Sequence, residues 1–168
     1  MPPAVVIMGV SGCGKSSLAA VLAQKMPVRR IEGDDYHSAS NRTKMSQGIA
    51  LTDADREGWL ASLSGLLRQT PPNVILTCSA LRKTYRDTLR NAASDLRFVF
   101  LKIGPEEARR RVNQRADSHF FSPSLVDSQF ATLESPESEP GVLTLDASLP
   151  VLQLAEQVVA WLAQESPP

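Results

Sequence analysis

Residues 9–16 read Gly9-Val10-Ser11-Gly12-Cys13-Gly14-Lys15-Ser16 and match the pattern G-x-x-x-x-G-K-[ST] at every position. Binding a phosphate chain with main-chain N–H groups requires a bare backbone. Gly9, Gly12 and Gly14 provide one and tolerate dihedrals closed to other residues. The Lys15 ammonium can reach β- and γ-phosphates, and the Ser16 hydroxyl can coordinate Mg²⁺. The string, with Ser17 following it, is therefore a candidate nucleotide-phosphate site contacted by Gly9, Val10, Ser11, Gly12, Cys13, Gly14, Lys15, Ser16 and Ser17.

Such a loop announces a nucleotide, not a reaction. Phosphoryl transfer to a small molecule needs a base for the acceptor hydroxyl, a pocket for the acceptor, and basic groups around the group in flight. The string Glu32-Gly33-Asp34-Asp35 offers the first. Asp34 is the candidate general base and Glu32 a candidate outer-shell group for magnesium; a solvated acidic turn is the alternative. The segment Cys78 to Asp87 offers the second. Ser79 and Arg86 suit an acceptor carrying hydroxyls and a carboxylate, because a guanidinium binds carboxylate with two parallel hydrogen bonds. The alternative there is an ordinary helix start with solvated charges. The run Arg109 to Arg115 offers the third. Arg111 and Arg115 are four apart, hence on one helix face, and can converge on phosphate.

These groups require elements to hold them. An apolar run predicts a buried strand over 4–8, and further candidate strands fall at 28–32, 73–78, 97–102 and 142–145. Helical spacing predicts helices over 15–25, 53–69, 82–92, 105–114, 123–133 and 150–164, with Thr52 or Asp53 capping the second. Strands alternating with helices imply a parallel sheet covered on both faces. The first strand leads straight into the glycine string, and helix 15–25 opens where phosphates would sit. The acidic and serine-bearing segments follow strands two and three, at the carboxyl ends where ligands of parallel sheets bind.

The 168 residues suffice for one domain with a proper core. Lys+Arg and Asp+Glu both number 18, so charge gives no sign of a nucleic-acid partner. No apolar run reaches membrane-span length, and residues 1–8 lack a basic signal region, so a cytoplasmic protein is expected. Two cysteines, Cys13 and Cys78, make no disulfide framework. The guanine-reading motif N-K-x-D is missing; its nearest approach, Asn41-Arg42-Thr43-Lys44, does not match.

Taken in order, further strings resemble the gluconokinase family of phosphate-loop kinases. They are Met8 to Ser16, Gly33-Asp34-Asp35-Tyr36-His37, Asn41, Lys44-Met45, Gly48, Leu51, Asp53, Asp55-Arg56 and Trp59-Leu60. They continue with Cys78-Ser79-Ala80-Leu81, Tyr85-Arg86-Asp87, His119-Phe120 and Gln129-Phe130-Ala131-Thr132-Leu133-Glu134, and span nearly the whole chain. The resemblance implies an α/β P-loop kinase fold: one domain over 1–168, a five-stranded parallel sheet of order 2-3-1-4-5, helices on both faces and a small lid near 111–125. It implies transfer of the ATP γ-phosphoryl group to the 6-hydroxyl of D-gluconate, with Mg²⁺, commonly in a homodimer. Lys15, Asp34 and Arg115 would be catalytic, and the adenine base would lie near Arg111. The acceptor would sit among Asp34, His37, Arg56, Ser79, Arg86 and His119. Magnesium would be held by Ser16 and, through its outer shell, Glu32. The chain departs from the family pattern at Glu32 (commonly Asp), Ser38 (commonly Pro), Cys13 (usually Ser) and in a lid about one residue longer. A shikimate-kinase-like enzyme is the alternative within the class, although Cys78-Ser79-Ala80-Leu81 stands where that family has a glycine run. A catalytically inert nucleotide-binding module is the alternative outside it.

Overall fold

In the computed structural model, which describes residues 2–70, 72–115 and 122–164, the sheet grows outward from its most apolar strand. Strand β1 (Val5–Met8) is buried along its whole length and has partners on both sides. It pairs with β3 (Val74–Thr77) and β4 (Arg97–Lys102). The outer positions go to β2 (Arg29–Glu32), beside β3, and β5 (Val142–Asp146), beside β4. All pairings are parallel, and the order is β2-β3-β1-β4-β5, as expected. Arg29 and Arg30 expose charge on an edge strand, which discourages further pairing there.

Alternation along β1 divides the core in two. Val6 and Met8 face one layer, with Leu76, Phe98 and Phe100. That face is covered by α3 (Asp53–Gln69) through Trp59 and Leu63, by α4 (Lys83–Ala92) through Leu89, and by α5 (Pro105–Gln114) through Ala108 and Val112. Val5 and Ile7 face the other layer with Ile75, Val99 and Leu101. This face is covered by α1 (Lys15–Lys25) through Leu18 and Leu22, and by α7 (Val151–Gln164) through Leu154 and Val158.

Helix α2 (Ala39–Ser46) was not expected. Its sequence is polar and buries only Asn41 and Met45, so apolar periodicity gave no signal. It starts because the Ser38 hydroxyl accepts from the Asn41 N–H at 3.0 Å. Thr52, not Asp53, caps α3: its side chain accepts from the Asp55 N–H, and the Asp55 carboxylate accepts from the Thr52 N–H, a reciprocal capping box. The helix expected at 123–133 opens with a 3₁₀ turn, Pro123–Leu125, before α6 (Val126–Thr132). No helix among the described residues is long and apolar enough to cross a membrane.

Candidate active site

The carboxyl ends of β1, β2 and β3 open onto one cavity, and each contributes a loop to its wall. The loop after β1 is the glycine string. Gly9 has φ 139° and Gly12 φ 87°, and a Cβ at either would stand 2.9 Å from a backbone oxygen, Leu101 O or Ala108 O. Only glycine lets the loop pass this close to β4 and α5. Helix α1 then begins with no side-chain cap and no acidic residue in its first turn. Its first N–H groups remain open for an anion, reinforced by the helix dipole. Lys15 Nζ donates to the carbonyls of Gly9 (2.9 Å) and Val10 (3.1 Å), which holds the ammonium over the loop.

At the end of β2, Gly33–Tyr36 form a 3₁₀ turn. A Cβ on Gly33 would lie 2.1 Å from the Thr77 carbonyl, so the residue between Glu32 and Asp34 must be glycine. The turn separates the two carboxylates. Glu32 Oε2 accepts from the Ser16 hydroxyl at 2.8 Å and from the Thr77 hydroxyl at 2.7 Å. Asp34 instead projects, half-exposed, into the cavity that Gly12, Lys15 and Ser16 also line.

His37 packs beneath Asp34. Its ring stacks on Trp59 with centroids 4.2 Å apart, and Trp59 Nε1 donates to the Gly33 carbonyl at 2.8 Å. His37 Nε2 is 3.8 Å from Asp34 Oδ1, and its Nδ1 is 3.4 Å from the Asn41 amide nitrogen, which also donates to the Asp55 carbonyl. An N–H facing Nδ1 leaves the ring proton on Nε2, toward Asp34. Burial pushes the imidazole pKa down to about 4, against the pull of Asp34, so the ring is neutral at physiological pH. Arg56, also buried, anchors Nη1 on the Leu51 carbonyl (2.9 Å) and the Tyr85 hydroxyl (3.2 Å). Its guanidinium carbon lies 5.5 Å from the Tyr85 ring centre, and the group lines the cavity.

Ser79 reaches the cavity from the turn after β3, where Ala80 adopts φ 46°, a left-handed conformation that side chains resist. The structure shows how this turn is held and corrects one expectation. Arg86 does not face the cavity. Its side chain is fully buried; Nη1 donates to the Ala80 carbonyl at 2.7 Å, and Nη2 to the Glu134 carbonyl at 2.9 Å. Nε and Nη2 grip the Glu139 carboxylate at 3.0 and 2.6 Å. With its donors engaged this way, Arg86 has no fork to offer an acceptor; it pins the turn that presents Ser79. The adjacent Cys78 thiol is buried and pushed up to about 12, so it is no nucleophile.

Arg111 and Arg115, expected to converge on phosphate, both line a second cavity behind the phosphate loop, and Arg115 also reaches the first. Arg111 donates to the carbonyls of Gly12 (3.3 Å) and Ala147 (2.9 Å) and to Glu107, and it lines the second cavity with Cys13, Gly14 and Ser17. Arg115 lines both cavities, at their junction. His119 and Phe120 lie outside the described residues, as do 116–121 of the expected lid. The lid's flanks are described: Ser122 N–H donates to the Met45 carbonyl at 3.3 Å, and Leu125 lines the first cavity.

A family model described as an AAA domain matches residues 5–136. A gluconokinase of Gluconobacter oxydans (strain 621H) is 39% identical over 168 residues, covering 98% of this chain and 94% of its own. The chain belongs to the gluconokinase family. A crystal structure of a gluconokinase from Sinorhizobium meliloti 1021 superposes with a TM-score of 0.88 at 40% identity, over 97% of this chain and 93% of the other. An unliganded sugar kinase from Janibacter sp. HTCC2649 gives 0.90 at 38%, over 97% and 95%. Membership favours the gluconokinase reading over the shikimate-kinase alternative.

Four site residues were missed as functional groups. Thr77 ends an apolar strand and gave no signal. Asn41, Trp59 and Gln129 were seen only as matching letters. Their partners, His37, Gly33 and Ser11, are known only once the chain is folded.

Proposed function

We propose that this chain transfers the γ-phosphoryl group of ATP to the 6-hydroxyl of D-gluconate, giving 6-phospho-D-gluconate and ADP. One observation carries the reading: a single cavity is walled on one side by Gly12, Lys15 and Ser16, and on the other by Asp34, His37, Arg56 and Ser79. The first set suits a polyphosphate. The second suits a chain of hydroxyls ending in a carboxylate.

The ATP phosphates lie over the N-terminus of α1, and the base occupies the second cavity near Arg111. Lys15 leaves the Gly9 and Val10 carbonyls to follow the β- and γ-phosphates. Arg56 takes the acceptor carboxylate, the role first assigned to Arg86, because its Nε and Nη2 have no partner among the described residues. The other end of the acceptor then points at Asp34. The hydroxyl proton passes to Asp34 as its oxygen bonds to phosphorus and the bond to the ADP oxygen breaks. His37, neutral and stacked on Trp59, packs beneath Asp34 with Nε2 3.8 Å from its carboxylate and helps fix where that carboxylate stands. Because the transition state is loose, Lys15 and Arg115 act mainly by position and charge.

Mg²⁺ belongs to the same proposal. The Ser16 hydroxyl and Glu32 carboxylate form an oxygen-only pair, and among the described residues no group of three or more His, Cys, Asp or Glu side chains is placed to hold a metal ion by itself. That is the sparse, hard donor set of an ion bound mostly through substrate phosphates and water. When bound, it would neutralise charge on the phosphates, held by Ser16 and, through water, by Glu32. That 1–168 acts as one kinase domain follows from its length and the family resemblance, its homodimeric state from the resemblance, and its cytoplasmic location from the sequence composition. Coupled ADP-release assays with gluconate, with shikimate and with no acceptor test the reading. ADP release should require gluconate, and in Asp34→Asn it should fall about a hundredfold while ATP binding survives. Equal release with and without gluconate would refute it.

A further inference from the structure

One phosphate-loop N–H is already taken. Ser11 N–H donates to Gln129 Oε1 at 2.6 Å, across 118 residues of sequence, and Gln129 lines the first cavity. A main-chain donor in this loop would ordinarily serve phosphate. Here it is spent on a side chain, so the carboxamide must do something the bare N–H does not. The acceptor atom is fixed by chemistry: an N–H can only meet the amide oxygen, so the amide NH₂ points elsewhere. Gln129 Nε2 has no partner among the described residues. Gln129 and Lys15 line the same cavity.

The support for Gln129 is independent of the lid. Its helix, α6, is tied at one end by Arg109 to Asp127 at 2.5 Å. Just past the other end, Glu134 N–H donates to the Leu81 carbonyl at 2.7 Å, and Glu134 Oε1 accepts from the Lys83 N–H at 2.9 Å. One short segment therefore bridges the phosphate loop and the turn that carries Ser79.

We propose that Gln129 relays the Ser11 N–H into the cavity and donates its amide NH₂ to the γ-phosphoryl group, so that the site distinguishes ATP from ADP. Ser11 polarises the amide through its oxygen, which strengthens the donor on its nitrogen. This rests on the reading of ATP as phosphoryl donor, but its test does not depend on the acceptor.

Gln129→Glu retains an oxygen for Ser11 N–H and replaces the NH₂ with a second, negatively charged oxygen. Calorimetric titration in magnesium buffer, without acceptor, should show ADP binding within about twofold of the parent. The β,γ-imido analogue of ATP should bind at least about tenfold more weakly, the scale of a hydrogen bond to a charged group. Turnover should fall about a hundredfold with little change in KM for gluconate. Equal losses for ADP and the analogue, or no loss for either, would overturn the proposal. If the glutamate variant fails to fold, Gln129→Met removes the donor without adding charge. It should weaken the analogue about threefold or more while sparing ADP, and equal effects again overturn the idea. Failure of the parent enzyme to use gluconate, with selective loss of the analogue intact, would sink the acceptor reading and leave this one standing.

Discussion

Glu139 lies between Arg86 and Arg90, with 8% of its side chain exposed against none for Arg86. Glu139→Gln keeps the shape and one acceptor oxygen and removes the charge. Two guanidinium groups then face a neutral amide whose NH₂ cannot accept from either. Breaking a buried pair from one side costs about 3–5 kcal/mol. Gln retains part of the hydrogen bonding, so the low end, about 3 kcal/mol, is expected. At about 2–4 °C per kcal/mol for a chain of this size, the melting midpoint should fall by about 6–12 °C. The effect should also depend on pH with a definite sign. Burial raises the Glu139 pKa, but the two arginines hold it, on balance, below the ordinary glutamate value of 4.5. The folded pKa is therefore below the unfolded one. The stabilisation is present above pH 4.5 and lost as pH falls through the folded value, so parent and variant should converge in acid. Calorimetric melts across pH, run beside gluconate KM measurements on Glu139→Gln and Arg86→Met, provide the assay. An acceptor-binding Arg86 would give the reverse pattern, a raised KM in Arg86→Met with melting unchanged in both variants. That result would refute the structural role assigned to Arg86.

Acid should act on His37 as well. Its folded pKa, about 4, lies below the ordinary 6.5, so stability is full above about pH 6.5 and declines between 6.5 and 4; urea midpoints of His37→Gln should lose this part of the slope. Gly33→Ala should destabilise the protein by about 3 kcal/mol, through the Cβ forced to 2.1 Å from Thr77 O. Gly58→Ala is the control: it lies on an exposed face of α3 with nothing within 4 Å and should stabilise by about 0.5–1 kcal/mol. Lys15→Met should lower kcat by about a hundredfold or more in steady-state assays, with melting unchanged.

The central strands were legible as short apolar runs and the charged edge strand β2 from the alternation of strands with helices, and all five bounds hold to within a residue. The phosphate loop was legible because its pattern is contiguous in sequence, although the backbone that demands glycine at 9 and 12, at Leu101 and Ala108, lies far along the chain. Asp34 was legible as a carboxylate placed after a strand of a parallel sheet. What could not be read depended on distant partners. Arg86 looks like a free guanidinium until Glu139 arrives from 53 residues away. Gln129 is one polar letter on a short helix until it meets Ser11. Helix α2 has no apolar face to reveal it, because its inward residue Asn41 is there to orient His37 and its hydrogen bonds.

The most direct test of the central claim is proton-coupled ³¹P NMR of the product formed from ATP, Mg²⁺ and D-gluconate. Transfer to the 6-hydroxyl puts phosphate on a CH₂ carbon, so the new resonance should be a triplet that grows in step with ADP. A doublet, marking a secondary hydroxyl, would contradict the placement of the acceptor's terminal hydroxyl at Asp34. Inorganic phosphate alone, formed at the same rate without gluconate, would contradict the assignment of the reaction itself.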